Sequence, residues 1–313
     1  MDFFTHLMIG FLISSWSGGS FSNQYVMFGT LMAILPDFDI FLYPLWKRMP
    51  VTRHHGITHT IIFVIAASVT LFAAYGALSG IAADPKLLMV MLLGGFSHIF
   101  CDFITNWGVT PFYPFEKGYS KLDLEMSINP YLALFFFPGV VFLVAARFKY
   151  LIPIDLTNAT FVLGLIYLVY FVSRVGFKIY YTMKPENEGF SALPTWVPYE
   201  WKFAKRIETD GEIRVLLKSN PRTKTYVIPK GRLERITKCQ ELVNTYWLGP
   251  VQDVMRVFEY PYYETDCQDR RMKITWRSAE MGELLSVHVE CVGDTLKSWV
   301  EFKRGKKAFS RQQ

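Results

Sequence analysis

Five of the six histidines in this chain fall within its first 102 residues, together with the aspartates nearest them. They form four groups. These are His6; Asp37 and Asp39 in Leu35-Pro36-Asp37-Phe38-Asp39; His54, His55 and His59 in Arg53-His54-His55-Gly56-Ile57-Thr58-His59; and His98 with Asp102. Imidazole and carboxylate together are a common ligand set for a divalent cation. A set without cysteine suits Zn, Mn, Fe or Mg better than Cu(I) or an iron–sulfur cluster. His98 and Asp102 are four apart, so on a helix their side chains share one face, one turn apart. His55 and His59 have the same spacing if a helix begins that early. Seven candidates (His6, Asp37, Asp39, His54, His59, His98 and Asp102) exceed the needs of one tetrahedral ion, so some support the ligands or there are two ions. His6, Asp39, His59, His98 and Asp102 are assigned as ligands, and Asp37 and His54 as proton-handling or supporting groups. Each residue alone has a plainer explanation: a satisfied core histidine, an aspartate helix cap, an interfacial anchor. The set of four groups outweighs those explanations.

The elements that must position these residues belong to a membrane. The chain is 51% hydrophobic and 19% charged, with a positive mean hydropathy of +0.20. Its charge is divided unevenly: residues 1–184 carry 11 Lys/Arg and 9 Asp/Glu, and residues 185–313 carry 22 and 18. A transmembrane domain over 1–184 is therefore expected to precede a soluble domain over 185–313. Spanning takes ~20 apolar residues. Ile57–Ile81, Leu87–Ile104, Tyr131–Ala146 and Phe161–Tyr181 have that character, the third marginally. Two shorter apolar pieces, Phe3–Trp16 and Tyr25–Leu35, flank the turn-forming run Ser17-Gly18-Gly19-Ser20 and predict a helical hairpin. The fold class expected is mainly α, a multi-span helical bundle with a small antiparallel β-rich domain after it.

Basic residues in the loops set the orientation. Lys47, Arg48, Arg53, Lys117, Lys121, Lys178 and Lys184 fall on one side, and Lys86, Arg147 and Lys149 on the other, seven against three. The first side, with the C-terminal domain, is expected in the cytoplasm, in a multi-pass protein of the inner or plasma membrane. On this topology all four His/Asp groups meet at the cytoplasmic face, an agreement that the orientation argument did not use. The net charge of +6 has both signs interspersed, an ordinary solvated surface. Membrane lipid is the partner expected, no nucleic acid is indicated, and no protein partner is specified.

The four cysteines show neither CxxC spacing nor a disulfide framework. No signal-peptide pattern opens the sequence. In the C-terminal part, Leu285, Val287, Val289 and Cys291 alternate with Ser286, His288 and Glu290. Met272, Ile274 and Trp276 alternate similarly, and Ile213, Val215 and Leu217 give a third strand-like run. Asp210-Gly211 reads as a hairpin turn. A short helix is expected around Arg232–Val243, and His288, on the polar face, is expected to be exposed.

Thr5-His6 with Gly10, Pro36-Asp37-Phe38-Asp39, Arg53 to Thr60, and His98-Ile99-Phe100-Cys101-Asp102 followed by Gly108 and Pro114-Phe115 resemble the YdjM-like family. These are LexA-regulated, membrane-bound, metal-dependent hydrolases, and the extra C-terminal domain is most similar to the longer YfhP-type members. The resemblance covers about residues 1–130. It departs at His55, where the family pattern usually has Arg; the extra imidazole could join the site. What the resemblance implies is a metal-dependent hydrolase. Such a site at a membrane face suits a lipid or lipid-linked ester or phosphoester, with one or two divalent ions activating water. Arg53 and Asn106 are the expected substrate contacts, and the loop Asn106–Pro111 the expected roof. Three rival readings exist. A transporter or proton relay would place such residues nearer mid-membrane. A haem bundle would pair His6 with His98, a poor fit to so many carboxylates. A structural metal site would only staple the helices.

Overall fold

Capping residues mark where the apolar segments begin and end. In the computed structural model, residues 1–17, 23–39, 55–80, 84–116, 118–134, 137, 141, 156–219, 222–229, 245, 248, 251–252, 255, 258–268, 271–292, 295–302 and 305–307 are described. The chain forms two compact units, Met1–Gly176 and Phe177–Gln313.

The first unit is helical. Helix α1 (Phe3–Ser17) and helix α2 (Asn23–Ile34) form the expected hairpin. At 1.5 Å per residue they are roughly 22 and 18 Å long, short of a ~30 Å hydrocarbon core. A 3-10 turn, Leu35–Phe38, ends α2 with Pro36 inside it, and a second one covers Ile57–His59. Helix α3 (Ile61–Ser79) starts at Thr60, whose side chain accepts a hydrogen bond from Phe63 N, and stops at Gly80 in the left-handed conformation. Helix α4 (Pro85–Phe103) starts at Asp84, which accepts from Lys86 N, with Pro85 in the first turn. Helix α5 covers Leu156–Thr182.

Among the described residues, three helices are long and apolar enough to cross a membrane: Ile61–Ser79, Pro85–Phe103 and Thr160–Thr182. The first and third are only 11% buried whereas the second is 50% buried, so α4 is the centre of the bundle and α3 and α5 turn their apolar sides outward. The fourth expected span, Tyr131–Ala146, lies mostly outside the described residues.

Small residues let α1, α2 and α4 approach closely. A Cβ on Gly94 would come within 2.2 Å of Gly29 O, and one on Gly29 within 2.1 Å of Ser14 Oγ. In lipid, where the surroundings are as apolar as the helices, such close packing drives association. Met32, Leu87, Val90 and Met91 form the core on this seam. Beyond α4, the segment through Glu125 folds back to α5. Arg174, fully buried, donates from Nε to Leu124 O (2.9 Å) and lies 3.4 Å from Glu125, which also accepts from Tyr170 and Asn129. A buried ion pair this well hydrogen-bonded fixes geometry more than it adds stability.

The second unit holds two antiparallel sheets. One runs β1 (Ser191–Pro194), β2 (Trp201–Glu208), β3 (Glu212–Ser219), β4 (Arg222–Pro229) in that order. The other runs β5 (Pro261–Gln268), β6 (Arg271–Ser278), β7 (Leu285–Val292), β8 (Thr295–Phe302), β9 (Gly305–Lys307). Asp210-Gly211 lies in the β2–β3 turn as expected. Ile274, Trp276, Val287 and Val289 are fully buried, which matches the alternation in the sequence. The segment expected to be helical, Arg232–Val243, lies outside the described residues. His288 is not exposed. It is 6% accessible because Thr275 and Ser286 bond its two ring nitrogens at 3.0 and 2.9 Å, and Glu301 lies 3.2 Å away. Polar side chains on adjacent strands thus cover one another on the face that was expected to meet water.

Candidate metal centre

Asp102 is the point on which the polar residues converge. It lies in the last turn of α4, wholly buried, one turn below His98. His98 Nε2 is 3.2 Å from Asp102 Oδ2, as the helical spacing requires. The other nitrogen of the ring, Nδ1, is 2.7 Å from Ala33 O at the end of α2. A carbonyl only accepts, so Nδ1 carries the proton and Nε2 keeps its lone pair.

His6, from the first turns of α1, stacks on His98 with ring centroids 3.8 Å apart, and its Nε2 lies 3.2 Å from Asp102 Oδ1. The Met1 amino group also contacts Asp102 Oδ1. Asp37, in the turn after α2, places Oδ1 3.6 Å from His98 Nε2 and 3.5 Å from His59 Nε2. Burial alone would raise its carboxyl, but the His59 ring beside it and the nearby His98 and His6 outweigh that and hold it below the usual carboxylate range.

His59 is oriented by a different route. Thr58 Oγ1 donates to Asp39 Oδ2 (2.9 Å) and lies 2.9 Å from His59 Nδ1. A hydroxyl has one proton, so the oxygen that donates to Asp39 must accept from Nδ1–H. That leaves the lone pair on Nε2, which lies 3.5 Å from both Asp37 Oδ1 and Asp102 Oδ2. Asp39 therefore stands behind His59 on its Nδ1 side, while Asp37 is among the converging groups.

His55 reaches the site without the expected helix. Helix α3 begins only at Ile61; His55 has a left-handed φ of 67°, and Gly56 and the 3-10 turn follow it. Few non-glycine residues adopt that conformation, and it tends to persist where surroundings over-determine it. Here His55 Nδ1 bonds Gly108 O (2.7 Å), Thr110 Oγ1 donates to His55 O (3.2 Å), and the ring is stacked between His59 and Trp107 at 4.7 and 5.4 Å. The loop after α4 therefore packs against the site. Gly108 is itself at a φ of 77°, where a Cβ would meet Ser120 O at 2.8 Å.

Among the described residues, two sets of ligand atoms lie within 4.8 Å of one another: His6, Asp37, His98 and Asp102, and His55, His59 and Asp102. Ligand atoms each ~2.1 Å from a shared ion can be at most ~4.2 Å apart, and the separations of 3.2–3.6 Å around Asp102 and Asp37 fall inside that limit. His6 Nδ1, His98 Nε2 and Asp102 Oδ2 are buried with no hydrogen-bond partner among the described residues. A buried polar atom left so costs ~1–3 kcal/mol, and ligation would remove that cost for His98 and Asp102 together. The donor set can hold a metal ion.

Not every expected contact is in place. Asn106 is fully buried, but its Oδ1 accepts from Ser127 N (2.9 Å) and Ser127 Oγ (2.8 Å) and its Nδ2 points to Met126 S. It holds the 125–127 segment rather than facing a substrate. Arg53 and His54 lie outside the described residues. Thr58, Glu125 and Arg174 were not assigned from sequence; only Arg174, an ionisable residue inside an apolar span, carried a readable signal.

The family model described as YdjM inner membrane protein matches residues 1–180. The chain belongs to the YdjM inner membrane protein family. The match takes in α1 to α4, α5 as far as residue 180, and every His/Asp group named above, and leaves the sheets described in the second unit outside it. Membership and the three apolar helices make it a membrane protein. No curated protein and no solved structure matches the chain.

Proposed function

We propose that this YdjM-family chain is a metal-dependent hydrolase working at the cytoplasmic membrane face on a lipid or lipid-linked ester or phosphoester. The observation that carries the reading is the pairing of His98 Nε2 with Asp102 Oδ2, buried, 3.2 Å apart and in no hydrogen bond among the described residues, with the His98 ring fixed from behind by Ala33 O.

His6, His98 and Asp102 would hold the ion, a donor set of the kind found in catalytic sites. Asp37 handles the proton: its side chain is 11% accessible where that of Asp102 is 0%, so it is the carboxylate of the group that meets an incoming molecule. His55 and His59 share Asp102 with the first set and would hold a second ion. A bound divalent ion supplies Lewis acidity and a water whose pKa falls to about 7. The apolar helices bring a lipid to this depth, and the seven-to-three excess of Lys and Arg supports the cytoplasmic side.

The test is hydrolysis by the purified protein in mixed micelles over a panel of phospho- and carboxylic esters. Turnover should require added divalent metal, stop on chelation, and drop by orders of magnitude in His98→Ala and Asp37→Asn. Stoichiometric metal with no turnover across the panel would overturn the enzyme reading in favour of a structural ion.

A further inference from the structure

Alongside the His/Asp cluster, helices α1, α4 and α5 line an open apolar groove of about 620 Å³, on which Trp16, Phe100, Phe161, Leu165 and Leu168 stay exposed. Its polar atoms are few: Ser97, one of the lining residues, spends its hydroxyl on Gly94 O (2.7 Å). Along α5 the lining runs from Phe161 to Phe171. Ten residues of helix are ~15 Å long, about half of a ~30 Å hydrocarbon core, the depth of one leaflet.

One end of the groove lies at the depth of the cluster, on the neighbouring face of α4. Cys101 lines it and Asp102 is the next residue. On α1, Ile9 and Ile13 line it three and seven residues beyond His6, on the same helical face. At the other end Trp16 reaches across to α5, donating from Nε1 to Thr160 Oγ1 (3.3 Å), with its ring so close to Gly164 that a Cβ there would approach it to 2.2 Å. The lining is that of a slot one leaflet deep, bounded by Trp16 at one end and level with Asp102 at the other.

We propose that this slot holds one acyl chain of a membrane phospholipid, with the headgroup at the His/Asp cluster. The occupant follows from the setting: two of the three walls are helices apolar and long enough to cross a membrane, the lining is hydrocarbon and open to the lipid side, and the His/Asp cluster lies beside one end, at the depth where a headgroup would lie. The placement of the headgroup rests on the hydrolase reading; the binding of the chain does not.

The experiment uses the full chain in nanodiscs containing a phospholipid with a diazirine near the end of one acyl chain. After illumination, adducts are mapped by mass spectrometry. Labelling of the α1 stretch Ile9–Trp16 and the α5 stretch Phe161–Phe171 should exceed that of the exposed α3 residues Ile62, Ile65 and Val69 several-fold. Ile13→Trp or Leu168→Trp, which fill the slot from opposite walls, should each remove that excess, while Val69→Trp should not. Metal content should be unchanged in all three. Even labelling of α1, α3 and α5, or an excess that survives both filling substitutions, would overturn the proposal. Preferential labelling without turnover would keep the slot and remove the hydrolase. Turnover of a soluble ester without preferential labelling would remove the slot and keep the hydrolase.

Discussion

Replacing Thr58 by Val should weaken metal binding although Thr58 is itself no ligand. Its hydroxyl joins Asp39 to His59 Nδ1 at 2.9 Å on each side, and valine keeps the shape while removing the bridge. The proton of His59 is then free to move to Nε2, the atom that faces Asp37 and Asp102. Loss of a group that orients a ligating histidine lowers metal affinity ~10–100-fold, or ~1.4–2.7 kcal/mol. Thr58→Ser should stay near the parent value, because it restores the same hydroxyl. Asp39→Asn should fall in the same range as Thr58→Val. The double substitution should be no weaker than either single one, since both act through one ring. The assay is competition for Zn(II) against a chromophoric chelator, with the detergent-purified proteins compared by melting temperature to exclude unfolding. An unchanged affinity in Thr58→Val, or fully additive losses in the double substitution, would refute the argument.

Single deletions at the cluster should be more severe: His6→Ala, His98→Ala and Asp102→Ala should each deplete bound metal measured by mass spectrometry, whereas His288→Ala should not. A reporter fused after Gln313 should be active only in its cytoplasmic form, in keeping with the seven-to-three basic excess. His288 is pushed down to about 4, by burial first and then by Lys273, against the opposing pull of Glu301. Its folded pKa lies below the unfolded value of about 6.5, so the unfolded chain binds more protons in that window and stability drops as pH falls from about 6.5 toward 4. Thermal melts of the parent and His288→Gln across that range should converge at the acid end, the substituted protein showing the shallower dependence.

Helical spacing made His98 and Asp102 legible, because four residues is one turn wherever an α-helix forms. The apolar runs of α3, α4 and α5 and the alternation in β6 and β7 were legible for the same reason: period is a property of sequence. Geometry held by tertiary contacts was not. His55 joins the cluster through a left-handed backbone held by Gly108 and Thr110, more than fifty residues away, and its spacing from His59 suggested a helix that is not there. The difference between Asp37 and Asp39 depends on one threonine hydroxyl. Asn106 looked available because a loop amide carries no mark of the Ser127 backbone it bonds. His288 read as exposed because alternation reports which face is apolar, not whether the other face is covered.

The ligands' order along the chain has a consequence for how the protein is made. His6 and Asp102, in contact in the finished protein, are separated by 96 positions, and both candidate ligand sets include Asp102. Synthesis delivers the N-terminal residues first. While α1, α2 and α3 are already emerging from the ribosome, the nascent chain offers His6, Asp37, His55 and His59 without Asp102, the carboxylate common to both sets. The cluster closes only when α4 has been translated and threaded between its predecessors, with Gly94 against Gly29 bringing Ala33 O to the His98 ring. An ion captured here would come only after α4 has joined α1, α2 and α3, never at the hairpin stage.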